Sequence, residues 1–483
     1  MKMVRKSIPG SSKPKQSATK GRTRKSSTQQ AVQKQDSNKQ HQLTDRPQTS
    51  PDLFVNSATT SMASAMPIWG ASSILTQRKD LPWSIDPNGK LCYAKDVENG
   101  KGVVLFWVTE DLEQEYPATL AGAAALAVID TFDIRAACMH LIYAAHATQL
   151  DRPWEQELVI DDRQIEAYLG LQKRTDKNRQ QKLALIKEIA QQPCKITTYV
   201  SWPAQGKAKG FTVEEGRLWH LLGIRYHYQQ DLFGNKELTG ITFTVRAGLW
   251  AKYFLHDEGR RDISAYCPCG ELSKALLEDI MSLWQHREGA ARLMVWLLFK
   301  SKVDRQNHHV AQTLMEIAYG SQRIEAARQD SQLRKKLANT WDEDLLALHD
   351  KGWQLYFHPE TYPPELQPPG FGRSNPSRPK GFFDQLLSAQ LWIEPPDNWK
   401  KDVIAPRPTS ELEIQQAVLP TQTRHTLTGA EIKARRKEKG WSQPKLSELS
   451  GLSQGLISLI ENEKRSLTGE NQEILERTFA LNS

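Results

Sequence analysis

The chain has 483 residues, 64 Lys or Arg against 56 Asp or Glu, and a formal net charge of +8. That length exceeds one ordinary core, so several domains are expected, and no apolar run reaches the ~18 residues of a membrane-spanning helix. The charge is uneven: residues 1–50 hold 12 basic and 2 acidic side chains, which leaves −2 on the rest, so basicity is a property of a tail. Five cysteines (Cys92, Cys138, Cys194, Cys267, Cys269) form no even framework, which fits a reducing compartment. The first 50 residues lack the apolar core of a signal peptide. The expectation is a soluble cytoplasmic protein, associated with the nucleoid or a plasmid, with no membrane contact.

Residues 1–66 are rich in Ser, Thr, Gln, Lys and Pro and read as a disordered basic tail, with a cluster from Lys13 to Lys25 suited to phosphates. Residues 67–265 read as an N-terminal hairpin and a first winged-helix unit. Lys90–Ala94 and Val103–Val108 are strands around Glu98-Asn99-Gly100, and Tyr116 to His146 is an apolar helical segment that breaks near Asp130. Glu157–Ile160 is a short strand, Asp161 or Asp162 caps a helix, Gly170 turns the chain, and Asp176 caps a longer helix. Arg174, Lys177, Arg179 and Lys182 at the start of that helix, with Lys207 and Lys209 in the loop from Pro203 to Gly210, form a basic helix end beside a basic wing, the arrangement that enters a DNA groove.

Residues 266–367 repeat the order without close identity. Leu272–Lys302 is helical, His309–Tyr319 is a helix ended by Gly320, and Ser321 to Lys351 is a helix bearing Arg323, Arg328 and Lys335. Trp353–Phe357 is a strand. Two such units in tandem resemble plasmid replication initiators of the theta type; the resemblance rests on element order over roughly 250 residues. It implies that each half binds part of a directly repeated site and that the protein represses its own gene. Residues 368–427, rich in Pro and Gly, read as a linker.

Residues 428–483 are the most explicit stretch. Thr428 with Glu431 has capping-box spacing, and Gly440 closes the first helix. Ser442 caps a second helix, Gln443–Leu449, Gly451 turns, and Ser453 caps a third, Gln454–Glu461. Leu446, Leu449, Leu452, Ile457 and Ile460 would lie between the last two. This is a helix-turn-helix, and Gly429, Ile432, Arg436, Ser442, Gln443, Leu446, Gly451, Ser453, Gln454, Ile457, Ser458, Ile460, Glu461 and Arg465 resemble the pattern of the lambda-repressor-like (XRE/Cro) family. Glu463 departs where that family has Gly or Asn, and Leu459 departs where a polar side chain points at DNA. The resemblance implies that Gln443 holds a phosphate, that Gln454, Gly455 and Ser458 meet the major groove, and that Ser453 and Arg465 belong to the same surface.

The fold class expected is mainly α with small β wings: two tandem winged-helix-like units and a C-terminal all-α lambda-repressor-like domain. No G-x-x-x-x-G-K-[ST] occurs, and Cys267-Pro-Cys269, with His256 nearest, lacks a second ligand pair, so neither cofactor nor metal is expected. No His pair sits at i, i+2 on an apolar strand, as metal-dependent DNA nicking needs, so no enzyme is expected. The leading reading is a sequence-specific double-stranded DNA-binding protein that initiates plasmid-type replication. A transcriptional regulator is the alternative, with a metal-dependent DNA-processing enzyme behind it. Further partners expected are host replication proteins and a second copy of the chain.

Overall fold

The computed structural model describes residues 46–97, 100–204, 209–230, 235–255, 269–303, 308–374, 378–396, 428–462 and a few between 471 and 479. The chain divides into two compact units, residues 1–403 and 404–483. No described helix is long and apolar enough to cross a membrane.

The first unit starts inside the segment expected to be tail. Arg46 reaches the carboxylates of Asp161 (3.3 Å) and Asp162 (2.9 Å), and the Ser50 amide donates to the Val159 carbonyl at 2.7 Å. Strand β1 (Thr59–Ala63) pairs antiparallel with Cys269–Ser273 far along the chain. The tail boundary at residue 66 is therefore corrected. Residues 46–66 are ordered by the buried carboxylates that hold Arg46, by pairing along an open strand edge, and by Leu53, Met62, Ala63 and Ala65, which enter the core. The basic cluster lies in residues 1–45, outside the described residues.

Helix α1 (Met66–Gln77) has Pro67 in its first turn, where a missing N–H is harmless, and it is buried along most of its length. Gly70 lets Phe106 press against it, since a Cβ there would stand 2.3 Å from the ring. Strands β2 (Ser84–Ile85), β3 (Leu91–Val97) and β4 (Gly102–Val108) follow, then helices α2 (Gly122–Asp130) and α3 (Ile134–Thr148). The break expected near Asp130 is real: Asp133 caps α3 by accepting from the Arg135 amide at 2.8 Å. Helix α3 is almost wholly buried and forms the centre of the unit.

From α3 the chain runs through β5 (Leu158–Asp161), α4 (Asp162–Tyr168), a left-handed turn at Gly170 (φ +64°) and α5 (Arg179–Gln191). Asp161 and Gln164 form a capping box on α4. Asn178 with Gln181 forms one on α5, so the cap expected at Asp176 is corrected to Asn178. The chain then makes β6 (Ile196–Trp202) and β7 (Phe211–Arg217) before a long hairpin, β8 (Trp219–Gln230) and β9 (Lys236–Ala247). The antiparallel order β5-β9-β8, behind α3, α4 and α5, is a winged helix whose wing is the β8–β9 hairpin. Strands β6 and β7 instead complete the five-stranded order β2-β3-β4-β6-β7. The loop from Pro203 to Gly210, expected to be the wing, therefore belongs to a different sheet. A short helix α6 (Trp250–Phe254) ends this half.

The second half repeats the plan. Strand β10 (Cys269–Ser273) receives β1, and α7 (Lys274–Leu283) and α8 (Glu288–Val303) lead to β11 (His308–Val310) and α9 (Ala311–Tyr319). Gly320 (φ +83°) turns the chain into α10 (Ser321–Gln329). The helix expected to run on to Lys351 stops at Asp330, which accepts from the Gln332 amide at 2.6 Å and so starts a separate α11 (Ser331–Asp350). After β12 (Gln354–Phe357) come α12 (Phe382–Ser388) and β13 (Gln390–Glu394), giving the order β11-β13-β12, the same as β5-β9-β8. Residues 368–396 are thus the closing part of a winged helix and not linker. Arg373 (2.7 Å) and Arg378 both clamp the buried Asp342 carboxylate, and Phe382 and Phe383 are buried. Residues 397–427 lie outside the described residues. One continuous core spans both halves, with Trp69 of α1 stacked on Phe299 of α8 at 6.0 Å.

In the second unit α13 (Gly429–Glu438), α14 (Gln443–Ser450) and α15 (Gln454–Glu461) enclose Ile432, Leu446, Ile457, Ile460, Leu475 and Phe479. Gly429 is required for close approach, because a Cβ there would meet the Ile460 carbonyl oxygen at 2.0 Å. Leu449, expected between the helices, is half-exposed outside this core; Leu456 packs there instead.

Candidate nucleic-acid interface

The helix-turn-helix is set by short polar side chains that end one helix and begin the next. Ser442 accepts from the Lys445 amide and Ser453 from the Leu456 amide, both at 3.3 Å. Between them Gly451 takes φ +72°, a left-handed conformation that a side chain would strain, and Ser447 donates to the Leu452 carbonyl at 2.5 Å. At the base, Arg436 grips Glu461 through two bonds of 2.6 and 2.8 Å and also donates to the Trp441 carbonyl at 2.7 Å. Gln443 donates to the same carboxylate at 2.8 Å. Burial pushes the Glu461 carboxyl up; bonds from Arg436 and Gln443 outweigh it and hold it below the usual glutamate range.

Gln443, implied to hold a phosphate, thus has one amide N–H fixed on Glu461, which orients the side chain at the start of α14. Gln454 and Gly455 are exposed on the first turn of α15, and the Gln454 side chain makes no hydrogen bond among the described residues. A Cβ on Gly455 would meet nothing, so that backbone can be approached closely. Ser453 is exposed as the cap, and Ser458 is half-buried one turn on, its carbonyl accepting from the Asn462 amide group at 2.8 Å. Leu459 stands outward as the sequence indicated, and an exposed leucine there suits a thymine methyl group. Arg465 and Glu463 lie outside the described residues. Gln454 and Ser458 can therefore read base edges together. Replacing both by alanine is expected to weaken binding to a selected site by roughly 1–3 kcal/mol per lost contact, while binding to random DNA stays unchanged. Fluorescence anisotropy on both DNAs checks this, and an unchanged specific-to-random ratio would refute the assignment.

The first winged helix changes the expected residue set. Arg179 is held by the carboxylates of Asp162 and Glu166 and donates to the Thr239 carbonyl at 3.0 Å. It is a clamp joining α5 to α4 and to the base of the wing, held by protein carboxylates where the sequence reading gave it to DNA. Arg174 makes two 2.7 Å bonds to Asp176, and those bonds hold the Asp176 carboxyl down at about 2. The pair is exposed, and such pairs contribute little, so Arg174 can exchange Asp176 for a phosphate. Lys177 and Lys182 are half-buried at the start of α5. Lys209 is exposed but sits between β6 and β7, away from the wing hairpin, and Lys207 lies outside the described residues. Sequence reasoning reads strands at Gly223–Gln229 and Leu238–Val245 but puts the basic wing at the loop before them, and so names none of the wing residues: Arg225, Tyr226, Tyr228 and Lys236 are exposed and Lys187 of α5 lies 5.3 Å from the Tyr226 ring. The available signal was two long alternating runs on either side of residues 231–235. Neutralising Lys182 should flatten the dependence of log K on log salt by about 1, with folding unchanged; a slope equal to wild type would place Lys182 off the DNA.

In the second winged helix the basic residues diverge. Arg323 lies 5.6 Å from the Tyr319 ring, at the edge of a cavity that Asp344 also lines. Arg328 is exposed five residues on, about 140° around the helix. Lys335 is exposed on α11, while its neighbour Arg334 folds back on the carbonyls of Ala327 (3.2 Å) and Arg328 (2.6 Å). Arg323 and Arg328 therefore do not share one face of α10. Cys267 and His256 lie outside the described residues; Cys92, Cys138 and Cys194 are buried thiols.

Among solved structures, a crystal structure of selenomethionine derivatives of domains 2 and 3 of RctB is similar, with 10% identity over 68% of this chain and 98% of that one. Its TM-score is 0.32. No curated protein matches the sequence. The helix-turn-helix family model matches residues 432–482, about a ninth of the chain. With its capped helices, glycine turn and outward-facing Gln454, the C-terminal domain is a DNA-binding helix-turn-helix that resembles the lambda-repressor-like family.

Proposed function

We propose that the chain initiates replication of a plasmid-type element by binding repeated sites in double-stranded DNA, and that it represses its own gene by occupying the same region. The observation that supports this reading is the repeated sheet order, β5-β9-β8 and β11-β13-β12, each behind a pair of helices and both on one continuous core. Fusing two like halves at a fixed spacing suits a DNA site that is itself repeated, with the helix-turn-helix adding a further contact. In this reading the protein assembles the origin and performs no catalytic chemistry. Host replication proteins then act on the bound complex, and a second copy of the chain joins it where the repeats continue.

The experiment is a transformation assay. A plasmid without its own origin receives the DNA flanking this gene, and the protein is supplied from elsewhere. Stable replication only when the protein is present is expected. Regulation of a reporter by the same segment, without replication, would favour the transcriptional-regulator reading, which the lambda-repressor-like domain also fits.

A further inference from the structure

Between the two winged halves lies a cavity of about 670 Å³, walled by α1, β3 and α2 on one side and by α8, α9 and α10 on the other. Trp83, Tyr93 and Trp296 give it flat apolar walls, and Lys95 of β3 reaches into it. The Lys95 ammonium stands 3.6 Å from the centre of the Trp69 ring and makes no ion pair or hydrogen bond among the described residues. The acidic groups that share the cavity are engaged elsewhere: Asp80 with Arg292 at 2.8 Å, and Glu316 with the Gln312 amide at 2.8 Å. A half-buried cation with no carboxylate partner among the described residues, at a space lined by aromatic rings, is placed to receive an anion.

We infer that this cavity is a binding site for a small organic anion with a planar aromatic body, its carboxylate or phosphate on Lys95 and its ring between the tryptophan and tyrosine side chains. The volume falls in the usual range for such ligands. Cationic recognition by lysine and stacking on indole rings account for both parts of the molecule. Burial lowers the Lys95 pKa to about 7, which favours neutral, nucleophilic amine at neutral pH.

That amine makes the site testable in the full-length protein. Pyridoxal phosphate, a planar aromatic anion bearing an aldehyde, is added near neutral pH and the product is reduced with borohydride. The Lys95 nitrogen bonds to the aldehyde carbon, the carbonyl oxygen leaves as water, and hydride from borohydride converts the imine to a stable secondary amine. Peptide mass spectrometry is expected to find Lys95 modified at least about tenfold faster than the exposed Lys336 and Lys437, as its lowered pKa implies. Benzoate, which lacks the aldehyde, should slow that modification, and Thr313→Trp, which fills the cavity from α9, should do the same while Lys336 labelling is unchanged. Labelling of Lys95 no faster than Lys336 would overturn the inference. So would fast labelling that neither benzoate nor the filled cavity slows, because Lys95 would then be reactive without a ligand site.

Discussion

Replacing Asp162 by alanine is expected to destabilise the first unit by about 3–5 kcal/mol, a fall of roughly 10 °C in Tm, the largest single effect in the winged halves. The Asp162 carboxylate is fully buried and accepts from Arg46 at 2.9 Å, from Arg179 and from the Ile241 amide at 2.7 Å. Its loss strands two guanidinium groups and a backbone N–H. The guanidiniums are partly exposed and rehydrate, whereas the amide does not, so the cost falls on the junction of α4, α5 and β9. Arg179→Ala separates the two roles given to that residue. As a clamp it lowers Tm; as a phosphate ligand it would flatten the salt dependence of DNA binding with Tm unmoved. Differential scanning calorimetry decides between them, and a Tm within about 2 °C of wild type for Asp162→Ala would contradict the clamp.

Glu461→Ala is expected to unfold the C-terminal helix-turn-helix outright and abolish its sequence-specific binding. Arg436 is buried beside Glu461, and removing one partner of such a pair costs about 3–5 kcal/mol, comparable to the whole stability of so small a domain. Calorimetry of the full chain should lose the transition of the second unit while that of the first stays in place. A pH dependence follows with a definite sign. The Glu461 pKa is lower in the folded state than in the unfolded one. Its contribution is therefore complete above the unfolded glutamate value of about 4.3 and is lost as pH falls through the folded value. Acid should release this domain's contribution, and Glu461→Gln should remove most of that acid sensitivity.

Much of the C-terminal domain was legible in the sequence because its determinants are local. Ser442, Gly451 and Ser453 each act within a few residues of themselves, and their order is enough to set two helices and a turn. The first winged helix was legible in part for the same reason, through Asp161 and Gly170. What the sequence concealed depends on distant pairing. Strands β6 and β7 interrupt the winged helix to join a sheet begun by β3 and β4, so a basic loop was assigned to the wrong hairpin. Strand β13 returns after a Pro- and Gly-rich excursion that resembles a linker, yet it pairs with both β11 and β12. Arg179 sits in a basic run that reads as a DNA surface, and only the fold brings Asp162 and Glu166 against it. Lys95 gave no signal at all, because only the fold brings it over the Trp69 ring and into the cavity between the halves.

The most direct measurement is a DNase footprint of the full-length protein on the DNA flanking its own gene, at near-physiological salt. Tandem winged halves on one core, tethered to a helix-turn-helix, predict several evenly spaced protected repeats in one orientation. Gln454→Ala with Ser458→Ala should erase only the part read by the C-terminal domain. One short symmetric site, or protection that this double substitution removes entirely, would contradict a DNA-reading role for the two winged halves.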